Sequence, residues 1–140
     1  GRIFVLDVAR LRGGPHEVAA AILATAQQDG SAVPVGLPQD PGQAGKVQVA
    51  WLQGLLAGHR VVASPETGAK LTRATPVAAQ VEAGNVSLLR GAWNAAFLEE
   101  LREFPQGRKD DQVDALARAH GMLAAPAAAA RRVHVGLLAR

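Results

Sequence analysis

The segment FPQGRKDDQVDA, residues 104–115, joins a loop to the start of a helix that carries three carboxylates. Its proline and glycine favour the loop, and an apolar periodic pattern begins directly after it. At about 100° per residue, Asp110 and Asp114 lie nearly above one another on such a helix, and Asp111 lies one step around it. The segment therefore predicts a helix whose first turn presents a tight acidic face.

This acidic face has two interpretations. Acidic side chains suit a helix N-terminus, where the dipole and the free amides stabilise negative charge, so Asp110 is then an ordinary N-cap. Alternatively, the carboxylates bind a divalent metal ion, which prefers hard oxygen ligands. A metal site needs a further acid from elsewhere in the chain, so the other acidic positions have to be considered.

The composition is that of one domain with a packed core. Of the 140 residues 49% are hydrophobic, and a domain of this size buries roughly 68–70% of its unfolded surface. The absence of cysteine excludes disulfides and thiolate metal sites. A formal net charge of +3 permits contact with nucleic acid without demonstrating it. No apolar run is long enough to cross a membrane.

Strand-like and helix-like segments alternate along the chain. The predicted strands are 3–8, 32–37, 60–63 and 86–89, and the predicted helices are 16–28, 44–56, 70–82, 92–104 and 110–123. Such alternation, with helices of ten or more residues, predicts an α/β fold with a largely parallel sheet. Trp93, Phe97 and Leu101 recur every four residues, so we expect their helix to bury this face. Residues 133–138 fit either a last strand or a disordered end.

Asp40 follows a predicted strand at the position where parallel sheets bind ligands. Ligands lie at the carboxyl ends of the strands in such sheets, although an Asp before a proline is also a common turn residue. The loop PQDPGQAGK, residues 38–46, lies between a strand and a helix, as a P-loop does. The P-loop pattern fails, because it needs Gly at position 40 and Ser or Thr at position 47, which are Asp40 and Val47. We therefore exclude nucleotide binding by this loop.

Six segments in order carry a family pattern. They are VLDV (5–8), LPQDPGQAGK (37–46), TGAKLTRA (67–74), AQVEAGNV (79–86), WN (93–94), and FP through DDQVDA (104–115). Together they resemble the nuclease domain of the phage terminase large subunit, in the RNase H/integrase-like superfamily. The resemblance implies an RNase H-like mixed sheet flanked by helices over residues 1–123, followed by an Ala/Arg-rich tail over residues 124–140.

The resemblance further implies an endonuclease that cuts concatemeric viral DNA with two Mg²⁺ or Mn²⁺ ions. In such hydrolysis one ion activates a water, and the second ion, roughly 4 Å from the first, stabilises the leaving oxygen. Carried over residue by residue, the catalytic acids and metal ligands are Asp40, Asp110 and Asp111, with Asp114 as a ligand or a support of one. The DNA-backbone contacts carried over are Lys46, Lys70 and Arg73, of which Lys46 is equally well an ordinary exposed helix charge.

Partners and location follow from the same resemblance. The implied partners are double-stranded DNA, the terminase ATPase domain, the small terminase subunit and the portal protein. The implied location is the cytoplasm of the bacterial host of a phage or prophage, with no membrane contact.

The chain departs from the family pattern at several positions. The family's first catalytic aspartate lies on a strand before the one where this chain begins, so we expect that strand and that acid to be missing and the metal site to be impaired. Pro38 stands where many relatives have Glu as the second acid, so Asp40 replaces it only by inference. Lys109 and Ala69 stand where many relatives have His and Asp.

Two other classes of function stay open. Another RNase H-like nuclease, such as a junction resolvase or a transposase core, would prefer branched over linear duplex. A non-catalytic DNA-binding or packaging-interaction module would use its acids only to cap a helix, and would not depend on divalent metal. Serine hydrolysis is discounted, because the chain has no Gly-x-Ser-x-Gly.

Overall fold

Helices and strands alternate as the sequence predicts. A computed structural model of the chain describes residues 1–125 and 133–135. The strands over these residues are β1 (Ile3–Val5), β2 (Val35–Gln39), β3 (Val61–Pro65), β4 (Val86–Leu88) and β5 (His134–Val135). The helices are α1 (Pro15–Asp29), α2 (Gln43–Leu55), α3 (Lys70–Glu82), α4 (Asn94–Glu103) and α5 (Asp111–Ala124). The predicted α/β class is confirmed.

The described strands form two small sheets. In the first, β2 lies between β3 and β5, and in the second β1 pairs with β4. Every pairing is parallel, as expected for strands that are joined through helices. The resemblance implies one mixed sheet, whereas the described residues divide their strands between two parallel ones. A groove lined by residues of β1, α1 and α5 lies beside β1.

Two prolines shape β2. The predicted strand over 32–37 is observed at Val35–Gln39, one residue after Pro34. Proline cannot donate a ladder hydrogen bond, which explains why the strand starts after it. Pro38 lies inside β2, beyond Val35 and Gly36, the two residues that pair with β5.

The apolar side chains form two clusters. The first joins α1, β2 and α2 through Val18, Ala19, Ile22, Ala26, Val35, Leu37, Leu52 and Leu56. The second contains Val77, Phe97 and Leu116, with Trp93 and Leu101 packed against it. The Trp93 and Phe97 rings meet edge to face with their centroids 5.6 Å apart. The predicted buried face of the helix around Phe97 is therefore confirmed.

Two further predictions concern the C-terminal tail and membrane-spanning segments. Of the predicted tail, residues 126–132 and 136–140 lie outside the described residues. Strand β5 lies within residues 133–138, for which the sequence left open a last strand or a disordered end. No helix in residues 1–125 or 133–135 has the length and apolar character needed to span a membrane.

Candidate active site

Two acidic residues follow neighbouring strands at one edge of the first sheet. Gln39 lies opposite Pro65 in the β2–β3 register, so Asp40 and Glu66 come next on the two strands. The Glu66 N–H donates to the Gln39 carbonyl oxygen at 3.1 Å, which extends the pairing past the strand ends. Asp40 therefore lies at the carboxyl end of a parallel strand, as the sequence predicts. Glu66 shares that edge.

Two glycines fold the loop that carries Asp40 onto the start of α2. Gly42 precedes the helix with a φ of 90°, which favours glycine. Gly45 is buried, and a Cβ at this position would overlap the Asp40 carbonyl oxygen. In the PGQAG sequence Gly42 thus allows a positive φ and Gly45 allows a close backbone approach, without the phosphate-binding pattern of a P-loop.

The start of α5 is capped by a residue from α4. Asp110 occupies the N-cap position, but its side chain makes no capping hydrogen bond. Glu100, only 6% exposed, accepts hydrogen bonds on Oε1 from the N–H groups of Gln112 at 2.6 Å and Val113 at 3.2 Å. Its Oε2 accepts from Gln112 Nε2 at 2.5 Å. Because Glu100 accepts the free N–H groups of Gln112 and Val113, the carboxylate of Asp110 is left for other contacts.

Lys70 brings two acids of α5 together. Its Nζ lies 2.7 Å from Asp110 Oδ1 and 3.1 Å from Asp114 Oδ2. Partial burial by itself lowers the pKa of Lys70, but its hydrogen bonds to Asp110 and Asp114 outweigh that effect and raise the pKa. The ammonium therefore stays charged between the two carboxylates.

Arg73, one turn further along α3, is held more rigidly. Its Nη1 donates to the carbonyl oxygens of Thr67 at 3.1 Å and Gly68 at 2.7 Å. Its Nη2 donates to Glu66 Oε2 at 3.1 Å and to Asp114 Oδ1 at 3.3 Å. Arg73 thus links the end of β3 to the first turn of α5.

Arg118 completes the network from the next turn of α5. Its side chain is 8% exposed and pairs through Nη2 with Glu66 Oε1. Burial lowers the pKa of Arg118, and the nearby charge of Asp40 partly offsets this by raising it. The buried Nε of Arg118 has no hydrogen-bond partner among the described residues. Glu66 is therefore shared by two guanidinium groups.

Asp111 is electrostatically different from its neighbours. Burial raises the pKa of its carboxyl, and the negative charges of Asp110 and Glu100 raise it further, while Lys70 opposes them. No ion pair to Asp111 is found in the part of the chain that the structure describes. Its carboxylate is thus less well compensated than those of Asp110 and Asp114.

The acids of the site offer hard oxygen donors of the kind that a divalent cation prefers. The Oδ atoms of Asp110 and Asp114 already converge on a positive charge, and Mg²⁺ commonly uses one or two carboxylates and keeps several waters. Within residues 1–125 and 133–135, however, no group of three acidic or histidine side chains is placed to hold a metal ion. Asp40, Asp110 and Asp111 therefore do not form a three-acid cluster in this structure.

The predicted site residues lie at four places around one sheet edge. Asp40 follows β2 and Lys46 is exposed on α2, Lys70 and Arg73 begin α3, and Asp110, Asp111 and Asp114 begin α5. The structure joins the α3 and α5 members directly. The metal-binding and DNA-binding roles of all seven stay predictions.

Three residues of the site were not singled out from the sequence. Glu66 follows β3, so the rule that selected Asp40 applies to it equally. Arg118 lies four residues after Asp114 and shares its helix face. Glu100 gives no local signal, because its capping contacts reach a different helix.

Comparison with known proteins gives one match. A family model described as the terminase RNaseH-like domain matches residues 1–123. No curated protein matches the chain significantly, and no solved structure does. The match agrees with the sequence resemblance in family.

Proposed function

The chain belongs to the terminase RNaseH-like domain family, and from that membership we propose that it is a metal-dependent DNA endonuclease domain. Its substrate is concatemeric phage DNA, cut during packaging in the host cytoplasm. Its partners are the terminase ATPase domain, the small terminase subunit and the portal protein. The observation that carries the proposal is the convergence of Asp110 and Asp114 on one cationic position, beside the carboxyl ends of β2 and β3.

Each acid has a proposed role. Asp110 and Asp114 hold a divalent cation, and Asp40 and Asp111 are the further acids that the two-ion arrangement of the resemblance requires. When bound, Mg²⁺ or Mn²⁺ supplies an activated water and stabilises negative charge on the phosphodiester. Glu100 keeps the acids in place by fixing the first turn of α5.

The basic residues bind and orient the substrate. Lys46, Lys70 and Arg73 contact backbone phosphates, which fixes the position of the duplex without reading its sequence. Arg73 is also a support, because its contacts to Glu66 and Asp114 hold β3 and α5 together.

Cleavage of supercoiled and linear DNA in Mn²⁺ tests the proposal. We expect nicking that requires the divalent ion and that Asp110→Asn and Asp111→Asn each abolish. Asp29→Asn is the matched control, because Asp29 ends α1 ahead of β2, at the opposite edge of the sheet from Asp40. Cleavage that persists undiminished in both site variants would show that these acids are not catalytic.

A non-catalytic DNA-binding module is the second candidate. It is favoured by the ion pairs that compensate Glu66, Asp110 and Asp114, and by Pro38 at the position of the family's second acid. It predicts DNA binding without cleavage, and no loss of binding when Asp110 and Asp114 are both changed to Asn. A clear preference of the cleavage for branched substrates would instead indicate a resolvase-like enzyme.

A further inference from the structure

Lys70 and Arg73 contact the same acid but are held very differently. The Lys70 side chain is 46% exposed, and the ion pairs are the contacts described for its ammonium. Arg73 is 24% exposed and also donates to two backbone carbonyl oxygens and to Glu66. Lys70 can therefore leave the acids without disturbing the backbone, whereas Arg73 cannot.

The Lys70 ammonium lies between the two carboxylates that would hold the metal ion of the proposed function. Its ammonium is a compact point charge on a flexible stem, and it contacts one oxygen from each carboxylate. Among the described residues Lys70 is the only cation paired with Asp110, whereas Asp114 keeps Arg73 when Lys70 is gone. Without Lys70 or a metal ion, two neighbouring carboxylates would repel each other with too little compensation.

We propose that Lys70 is a built-in competitor of the catalytic cation. In the metal-free site its ammonium holds Asp110 and Asp114 in the arrangement that a divalent ion needs. Binding of the ion displaces the ammonium toward solvent, while Arg73 and Glu100 keep α5 in place. This inference rests on the metal site of the proposed function and adds a mode of regulation to it, since metal affinity is set by the lysine that must leave.

Mn²⁺ binding by isothermal titration calorimetry tests this competition directly. Lys70→Met removes the competing ammonium, so Mn²⁺ binding should become tighter. Because exposed ion pairs are weak, the expected gain in affinity is roughly 3- to 10-fold. Lys109→Met is the matched control, since it removes the same charge next to Asp110 but breaks no described ion pair, and we expect a change below about 2-fold. Equal or weaker binding in Lys70→Met overturns the inference.

Thermal unfolding supplies a second readout. In EDTA, Lys70→Met should have a lower Tm than the unmodified chain, because the two acids lose their cation. Saturating Mn²⁺ should remove that difference, because the ion takes over the same role. A Tm deficit that persists unchanged in Mn²⁺ would show that Lys70 has a purely structural role. Lys70→Gln repeats both measurements with a polar side chain, in case the methionine itself disturbs folding.

The outcomes separate this inference from the nuclease proposal. Tighter Mn²⁺ binding in Lys70→Met without any DNA cleavage supports the competition and counts against the nuclease. Mn²⁺-dependent cleavage with unchanged Mn²⁺ affinity in Lys70→Met supports the nuclease and overturns the competition. If neither protein binds Mn²⁺, the competition is overturned together with the metal site on which it depends.

Discussion

At the scale of single residues, Asp111 has an environment that opposes its charge. It is half-buried, lies beside Asp110 and Glu100, and has no ion pair among the described residues. A carboxylate with so little compensation costs stability, as is common at functional sites. Asp110 and Asp114 differ, because each is matched by a cation.

The raised pKa of Asp111 predicts that Asp111→Asn increases thermal stability in a pH-dependent way. A carboxyl whose pKa is higher in the folded state stabilises the fold at low pH, and that contribution is lost as the pH rises through the folded-state pKa. At pH 7 the ionised group therefore disfavours folding. Asp111→Asn should raise the Tm at pH 7, and the gain should vanish below the ordinary pKa of aspartate. Thermal unfolding followed by circular dichroism between pH 3 and 8 measures it.

Asp110→Asn is the comparison for this experiment, because it removes a carboxylate that is paired with Lys70. We expect that Asp110→Asn does not raise the Tm at pH 7. If Asp111→Asn lowers the Tm at pH 7, the carboxylate has a stabilising contact and the argument from its environment is wrong.

At the scale of elements, the first turn of α5 depends on α4. The carboxylate of Glu100 accepts the three hydrogen bonds from Gln112 and Val113, and it is almost fully buried. Hydrogen bonds to charged groups contribute about 1.5–3 kcal/mol each, and their contributions overlap within one cap. Glu100→Ala should therefore lower the free energy of unfolding by about 2–4 kcal/mol. Urea denaturation measures it.

Glu99 provides the matched control on the same helix, because it is exposed. Glu99→Ala should change the free energy of unfolding by no more than about 0.5 kcal/mol. Similar losses in the two variants would mean that the helix charge, and not the cap, is responsible.

The approach of Gly45 to Asp40 gives a prediction on α2. Gly45→Ala would place a methyl group against the Asp40 carbonyl oxygen, and overpacking of this kind costs about 1–3 kcal/mol. Gly54 lies on the same helix with open space around it, so Gly54→Ala should stabilise by up to about 1 kcal/mol. Opposite changes in the urea midpoint would confirm that Gly45 is required by the Asp40 loop. A loss of stability in both variants would contradict it.

These elements also show what the sequence could and could not predict. Helix α3 has the predicted bounds of Lys70–Glu82, and glycines with positive φ, Gly68 and Gly84, lie just outside its two ends. Strand β1 was predicted over 3–8 but ends at Val5, since its partner β4 offers only three residues for pairing. The length of a strand is set by a neighbour that is distant in sequence, and local pattern does not contain that information.

The same limit applies to the candidate site. The acids at the start of α5 and the cations of α3 could each be placed on a common helix face from their spacing, because each group lies on one helix. The Glu66–Arg118 pair joins residues 52 positions apart in sequence, and only the packing of α5 against the end of β3 brings them together. The placement of side chains on one element was predictable from the sequence, and contacts between elements were not.

At the scale of the whole molecule, the candidate site lies where separate parts of the chain meet. The first apolar cluster fixes α1, β2 and α2, and the second joins α3, α4 and α5. The site is formed by the ends of β2 and β3 together with the starts of α3 and α5. The ion pairs of Arg73 with Glu66 and Asp114 thus connect the first sheet to α5 across the site.

This arrangement predicts which face of the molecule would bind the DNA of the proposed function. Lys46 lies in the first turn of α2, directly after the Asp40 loop, and so at the same edge of the sheet as the site. If it contacts a phosphate, Lys46→Gln should weaken duplex binding equally for all sequences and reduce the slope of log K against log salt by about 1. Fluorescence anisotropy over a range of salt concentrations measures both quantities.

Arg60 is the matched charge on the opposite edge, because it immediately precedes β3 and is exposed. Arg60→Gln lowers the net charge by the same amount, so a purely global charge effect would reduce binding equally in the two variants. A change in slope confined to Lys46→Gln would place the duplex over the acids of α5, as phosphodiester cleavage requires. If Arg60→Gln carries the larger effect, the DNA lies on the far edge of the sheet and cannot reach those acids.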